Sequence, residues 1–265
     1  VLGVVPARYG GSDDVFPGKP LALIGGKPMV WQVYVNARNA KCLDYCCVAT
    51  DDQRVAEAVR TLGGEVVMTN VKWESDAERC LEAYRKIKKR MRKGDDFDVI
   101  VEVSCDEPFI QPHHIEMVAN VVAGSDDAVL GVLARHEEGK RGGGDGDDED
   151  DEKDLVTCAM DGNGDALYFA RGDDDNYPEQ ASNEATKARV VEEGGETERR
   201  TNGDAAGEQT AKTTMHMKKK IVMSGVCGYR TDFLAKLVKL PKVEPSSSAG
   251  AGARATGESD KKDDD

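Results

Sequence analysis

A chain of 265 residues with 39% apolar and 5% aromatic side chains carries less core-forming material than a globular domain of that length needs. Its formal net charge of −14 argues against a nucleic-acid partner, because phosphate backbones are held by clustered Lys and Arg. No run approaches the ~20 consecutive apolar residues of a membrane span.

The apolar deficit is local. Residues 1–136 are patterned as globular sequence, whereas 137–154, 172–214 and 241–265 are rich in Gly, Asp, Glu, Ser and Lys. Such segments bury too little apolar surface to offset the entropy of ordering them. One domain over residues 1–240 is expected, with low-complexity insertions at about 137–154 and 172–214 and a disordered acidic tail at 241–265. Seven cysteines without regular spacing point to a reducing compartment, cytoplasmic or organellar, rather than to a disulfide framework. The first residue is Val1 rather than Met, so the chain is expected to be a fragment, and any targeting segment would lie upstream.

In chain order, residues 1–5 form a continuous apolar run, the pattern of a strand buried on both faces. Residues 28–40 place Met29, Val33 and Ala37 on one helical face after the Gly25-Gly26 turn. A second strand is predicted at 45–50. Asp51 then caps a helix in which Val55, Val59 and Leu62 share a face, and Gly63-Gly64 ends it. Residues 65–68 read as a third strand and 75–93 as a helix with Leu81, Tyr84, Ile87 and Met91 in one stripe. The basic side chains near the end of that helix read as a solvated face. A fourth strand, 97–103, ends at Cys105-Asp106-Glu107-Pro108. A helix at 112–122 and a strand at 128–134 follow. Residues 155–160 and 166–171 flank Asp161-Gly162-Asn163-Gly164, a hairpin signal. A last strand, 221–230, leads into a helix at 231–240. Strands alternating with helices imply an α/β fold with a mostly parallel sheet, in which ligands bind at the carboxyl ends of the strands.

Two loops fall at that edge. Arg8 and Lys19 bracket a glycine-bearing turn, the arrangement that grips a polyphosphate: a guanidinium fork on one side and a point charge on the other. Asp13 and Asp14 lie between them and oppose a phosphate. Asp106 follows the fourth strand directly, where a carboxylate can hold Mg²⁺ against phosphate oxygens; a plain strand-ending turn uses the same residue types. Ser75 and Glu78 match a capping box, and Ser75 or Arg79 could also contact a base or ribose. His113, His114, His136 and His216 form no zinc or catalytic spacing, and no Walker loop or nucleophile elbow is present.

Nine short motifs stand in register: Pro6-Ala7-Arg8, Pro17-Gly18-Lys19-Pro20-Leu21, Gly26-Lys27-Pro28-Met29, Ala49-Thr50-Asp51-Asp52, Gly63-Gly64-Glu65-Val66, Ser75-x-x-Glu78-Arg79, Asp106-Glu107-Pro108, Ala166-Leu167-Tyr168-Phe169-x-Arg171 and Gly228-Tyr229-Arg230. In this order they resemble the 3-deoxy-manno-octulosonate (Kdo) cytidylyltransferases, the CMP-Kdo synthetases. The resemblance implies a Rossmann-like nucleotide-diphospho-sugar transferase fold, a mixed mostly parallel sheet with helices on both faces, and a homodimer. It implies transfer of CMP from CTP to Kdo, an acidic sugar, with Mg²⁺ and release of diphosphate. Arg8, Lys19 and Asp106 would be catalytic, Asp106 also holding the metal. Pro6, Ala7, Ser75, Arg79, Glu107, Tyr168 and Arg171 would bind substrates. The chain departs from the family pattern where Asp13-Asp14 replace Ser-x-Arg, where Ser104-Cys105 replace Gln-Gly, and in lacking a late metal-binding Asp. The alternative reading is a catalytically inactive homologue that serves as a nucleotide-binding or protein-interaction module.

Overall fold

Strand β1 (Leu2–Pro6) is buried along its whole length, because both of its faces are covered. The structure is a computed structural model that describes residues 1–10, 16–136, 156–160, 166–171, 188–192 and 221–240. Parallel to β1 lie β4 (Tyr45–Thr50) on one side and β6 (Val99–Val103) on the other. β5 (Val66–Met68) extends the sheet past β4, again parallel. β11 (Ile221–Arg230) runs antiparallel beside β6 and also pairs with β7 (Leu130–His136). β10 (Ala188–Glu192) lies outside β7, giving the order β10-β7-β11-β6-β1-β4-β5. A hairpin of β8 (Val156–Met160) and β9 (Ala166–Arg171) joins through β8 to the start of β11. A two-stranded ribbon, β2 (Leu23–Ile24) with β3 (Lys27–Pro28), turns through Gly25 and Gly26. Both of those glycines have positive φ, which explains the residue type there.

Helices cover both faces. On one, α1 (Met29–Arg38), α2 (Gln53–Thr61) and α4 (Pro112–Ala123) pack on Val5, Val48, Val101 and Val103. On the other, α3 (Asp76–Lys88) and α5 (Thr231–Leu237) pack on Leu2, Val4, Ala49 and Ile100. Neighbouring residues of one strand therefore enter different cores, the reason the central strands read as unbroken apolar runs. The expected Rossmann-like architecture is present. All seven cysteines are free, matching the expectation of no disulfide framework. Among the described residues no helix is long and apolar enough to cross a membrane.

The differences from expectation have local causes. Asp52, not Asp51, caps α2: its carboxylate accepts from the Arg54 amide at 2.8 Å. Helix α3 stops at Lys88 instead of continuing to residue 93. Amide bonds from Arg90 to the Ile87 carbonyl and from Met91 to the Lys88 carbonyl tighten the last turn. The seventh strand begins at Leu130, because the Ser125 hydroxyl accepts from the Asp127 and Ala128 amides and holds them in a turn. Strand β10 arises within the span read as a low-complexity insertion. Its Ala188 is fully buried and packs in a small cluster with Cys158 and Ala166. The edge strand β5 is guarded by Lys86, whose Nζ donates to the Met68 carbonyl at 2.7 Å. The residues of the hairpin turn, 161–165, lie outside the described residues.

Candidate active site

The carboxyl ends of β1 and β6 open on a cleft of about 540 Å³. Pro6 ends β1 and lines the cleft, while Ala7 behind it is fully buried, its amide bonded to the Ala49 carbonyl at 2.9 Å. The chain leaves the sheet there and sends Arg8 into solvent at the cleft wall. After the turn, Gly18 adopts a left-handed conformation (φ 77°) and opens a short 3-10 helix, Lys19–Leu21, with Pro20 in its first turn. That geometry returns Lys19 to the same cleft, facing Arg8 across the loop. Asp13 and Asp14 lie outside the described residues.

Opposite them, β6 ends at Val103 and the loop 104–108 is tied down on three sides. The Ser104 amide donates to the Gly225 carbonyl at 2.7 Å, and the Gly225 amide donates to Glu107 Oε1 at 3.1 Å. Asn36 of α1 donates to the Pro108 carbonyl at 3.1 Å. Glu107 therefore braces the loop against β11, and Asp106 is the carboxylate left facing the cleft. Lys19 Nζ lies 2.9 Å from Asp106 Oδ2. Both side chains are about half exposed, so the pair adds no more than about 1 kcal/mol to the fold. The pair can thus be opened at low cost.

The cleft holds a residue that motif reading passed over. Asp76, in the first turn of α3, lines it with Asp106. Desolvation lifts its carboxyl above the usual range; Arg79 and Arg8 pull it back, and the Asp106 carboxylate adds to the rise. Only the acidic preference of a helix first turn marks Asp76 in the sequence. The charged lining among the described residues is then two cations, Arg8 and Lys19, and two carboxylates, Asp76 and Asp106. Among the described residues no group of three or more ligating side chains forms a metal cluster. Cys105 also lines the cleft, but burial and then the neighbouring Asp106 and Asp76 push its thiol up to about 12. That direction disfavours the thiolate form a nucleophilic cysteine needs.

The remaining sequence-predicted residues separate. Ser75 is the exposed N-cap of α3 and forms the full capping box: its Oγ accepts from the Glu78 amide at 3.2 Å, and Glu78 Oε2 accepts from the Ser75 amide at 3.2 Å. Arg79 is 1% exposed and points inward. Its Nη1 donates to Thr69 Oγ1 at 2.6 Å and stands 3.3 Å from Asp51 Oδ1, and its Nη2 donates to the Trp73 carbonyl at 3.4 Å. Neither Ser75 nor Arg79 lines the cleft. Tyr168 and Arg171 lie on β9, paired with Ala159 and Val156 of β8, and their side chains lie outside the described residues.

Beneath the α3 face of the sheet, Glu102 of β6 accepts from Tyr229 Oη at 3.4 Å and from Cys80 Sγ at 3.8 Å. Burial, and then the Asp76 carboxylate, raise Glu102 from the usual 4.5 to about 8. The folded protein thus holds this proton at pH values where the unfolded chain has released it. Stability from this group is complete below about pH 4.5 and is lost as pH rises through about 8. Glu102→Gln mimics the protonated form. Its melting temperature is expected to match wild type near pH 4.5 and to exceed it progressively toward pH 8 and above, where the stability margin reaches about 5 kcal/mol. A gap between the two proteins that does not change over pH 5–9 would contradict this assignment.

The chain is 37% identical over 170 residues to a 3-deoxy-manno-octulosonate cytidylyltransferase of Parabacteroides distasonis, covering 64% of this chain and 62% of that one. It is 38% identical over 172 residues to the mitochondrial 3-deoxy-manno-octulosonate cytidylyltransferase of Arabidopsis thaliana, covering 65% and 54%. A third relative of that name, from Bacteroides thetaiotaomicron, is 47% identical over 117 residues, covering 44% and 43%. The chain therefore spans between 43% and 62% of the length of these curated relatives. Its fold matches the solved structure of a CMP:2-keto-3-deoxy-manno-octonic acid synthetase complexed with CTP. There the TM-score is 0.63 at 26% identity, over 91% of this chain and 78% of that one. The profile of the cytidylyltransferase family matches residues 2–222, from the first strand to the last, and the chain belongs to that family.

Proposed function

We propose that this cleft takes the triphosphate of CTP and transfers its CMP to the anomeric hydroxyl of 3-deoxy-manno-octulosonate. The convergence of Arg8, Lys19 and Asp106 on one cleft at the carboxyl ends of β1 and β6 carries this reading. The names of the curated relatives, and the CTP with which the solved synthetase is complexed, support the choice of nucleotide and sugar.

In the reaction, a bond forms from the sugar oxygen to the α-phosphorus, the bond from that phosphorus to the bridging oxygen of diphosphate breaks, and the hydroxyl proton passes to water. Arg8 offers a bidentate fork and Lys19 a point charge to the oxygens that gain charge as diphosphate leaves. Lys19 serves this role once it exchanges Asp106 for a phosphate oxygen. With two carboxylates facing the cleft, an unaccompanied triphosphate meets as many negative as positive side chains. The donor set suits Mg²⁺, which takes one or two carboxylates plus phosphate oxygens. Asp106 would hold it, with Asp76 as the second carboxylate of the same cleft. Bound there, Mg²⁺ would neutralise phosphate charge and polarise the α-phosphate.

The test is CTP-dependent release of diphosphate in the presence of the sugar and Mg²⁺. CTP with Mg²⁺ at about 100 times its Kd should also stabilise the fold by about 2.7 kcal/mol, read as a rise in melting temperature. A chain that neither gains thermal stability with millimolar CTP nor releases diphosphate would overturn the proposal.

A further inference from the structure

Tyr9 follows Arg8, and three contacts meet on it, two from Gly18 and one from Arg54 of α2. The Gly18 amide donates to the Tyr9 carbonyl at 2.6 Å, closing the base of the loop between Arg8 and Lys19. Gly18 also packs against the Tyr9 side chain. A Cβ on Gly18 would stand 2.9 Å from Cζ and Oη of Tyr9, at a φ of 77° that other residues rarely adopt. From α2, the guanidinium of Arg54 lies 3.3 Å from the centroid of the Tyr9 ring. Arg54 is in turn held by Asp52 through a two-pronged pair, Nη2 to Oδ2 at 2.6 Å and Nε to Oδ1 at 3.0 Å. Asp52 is itself fixed as the N-cap of α2.

A chain of contacts thus runs from the helix start through Asp52 and Arg54 to the Tyr9 ring, and from Tyr9 to Gly18. Arg8 precedes Tyr9 in the sequence and Lys19 follows Gly18, so each cation adjoins one of these two contact residues. Ten residues separate Arg8 from Lys19 in the sequence, too many for the covalent chain alone to set the distance between the two cations. Tyr9 itself lines the cleft, so a shift of its ring changes the wall as well as the loop base.

We infer that Arg54 is a positioning residue of the cleft: stacked on Tyr9 and anchored by Asp52, it fixes the base of the Arg8–Lys19 loop and with it the spacing of the two cations that receive a polyphosphate. This rests on the proposed function only in taking a polyphosphate as the ligand of the cleft; it does not depend on cytidine or on the sugar. Arg54 is exposed and belongs to no apolar core, so its removal leaves the fold's packing intact.

The experiment compares wild type with Arg54→Met, Arg54→Lys, Tyr9→Phe and Tyr9→Leu, using two readouts that need no catalysis. The first is trypsin cleavage after Arg8, followed by mass spectrometry of the released N-terminal octapeptide; Lys19 precedes Pro20 and resists the protease. The second is the affinity for inorganic tripolyphosphate by calorimetry. Losing a partly exposed cation–π contact is expected to speed cleavage after Arg8 about fivefold and to weaken tripolyphosphate by a similar factor in Arg54→Met. Tyr9→Leu should behave alike. Tyr9→Phe, which keeps the ring, should recover most of both effects, and Arg54→Lys, which keeps the charge but not the fork on Asp52, only part of them, with melting temperatures unchanged throughout. Cleavage and affinity that stay at wild-type values in Arg54→Met overturn the inference, as does a loss that Tyr9→Phe shares equally with Tyr9→Leu. A wild-type chain that binds tripolyphosphate but not CTP removes the cytidine reading and leaves this one standing; one that binds neither removes both.

Discussion

Asp106→Asn is expected to lower the rate of diphosphate release by about 10²–10³-fold while leaving the affinity for metal-free CTP intact or slightly improved. The two effects have opposite signs because Asp106 has two partners. Its carboxylate holds Lys19 at 2.9 Å, so it competes with a nucleotide for that cation. Removing the charge frees Lys19, and the net charge of the described cleft lining rises from zero to +1. Since the exposed pair is worth at most about 1 kcal/mol, the gain in binding is limited to about fivefold. The turnover loss follows from the proposed mechanism, in which Asp106 would hold Mg²⁺: an amide would not supply the hard anionic oxygen that the ion requires. Lys19→Met should give the complementary result, weaker CTP binding with or without metal. Single-turnover rates and calorimetric Kd values for the two variants separate the roles. If Asp106→Asn lost rate and nucleotide affinity in equal proportion, Asp106 would be a ligand of the nucleotide rather than of its metal.

The legible parts of this molecule are those set by short-range rules. Buried parallel strands announce themselves as unbroken apolar runs, and the 45–50 strand is found where expected because both of its faces are covered. The Ser75 capping box is fixed within four residues and is fully formed. Arg8, Lys19 and Asp106 were legible as a set because each stands next to the end of a strand or turn, where a parallel sheet gathers its ligands. What depends on a distant partner was not legible. Strand β10 reads as part of a polar span until β7 provides its partner and Cys158 and Ala166 cover its first residue. Asp51 and Asp52 are chemically identical neighbours; one caps a helix and the other turns inward because Arg79 approaches from α3. Asp76 belongs to the cleft only because α3 begins beside the end of β6, a fact of topology that an acidic first turn does not by itself signal. Tyr9 was in plain view beside Arg8, yet its role depends on Arg54, forty-five residues further along the chain.

Arg79 shows how one residue can satisfy a family motif and a structural need together, and its substitution should have the largest effect on stability. Its guanidinium is 1% exposed, and its described partners are all protein groups: Asp51, Thr69 and the Trp73 carbonyl. Arg79→Met keeps the apolar stem but strands the Asp51 carboxylate, whose side chain is 9% exposed. A buried charge stripped of its partner costs about 3–5 kcal/mol, far more than the intact pair contributes. Urea unfolding should show that loss as a lower midpoint with an unchanged slope. The double variant Arg79→Met/Asp51→Asn should recover a large part of it, because the uncompensated charge is gone. Arg79→Lys should fall between, keeping the charge but not the fork that reaches Thr69 and Trp73 together. Asp51 and Thr69 sit at the carboxyl ends of β4 and β5, so this network also fixes where α3 starts, and hence where Asp76 meets the cleft. A destabilisation below about 1 kcal/mol in Arg79→Met, or a double variant no more stable than the single, would show that Asp51 draws its compensation from elsewhere and that Arg79 is free to face a ligand.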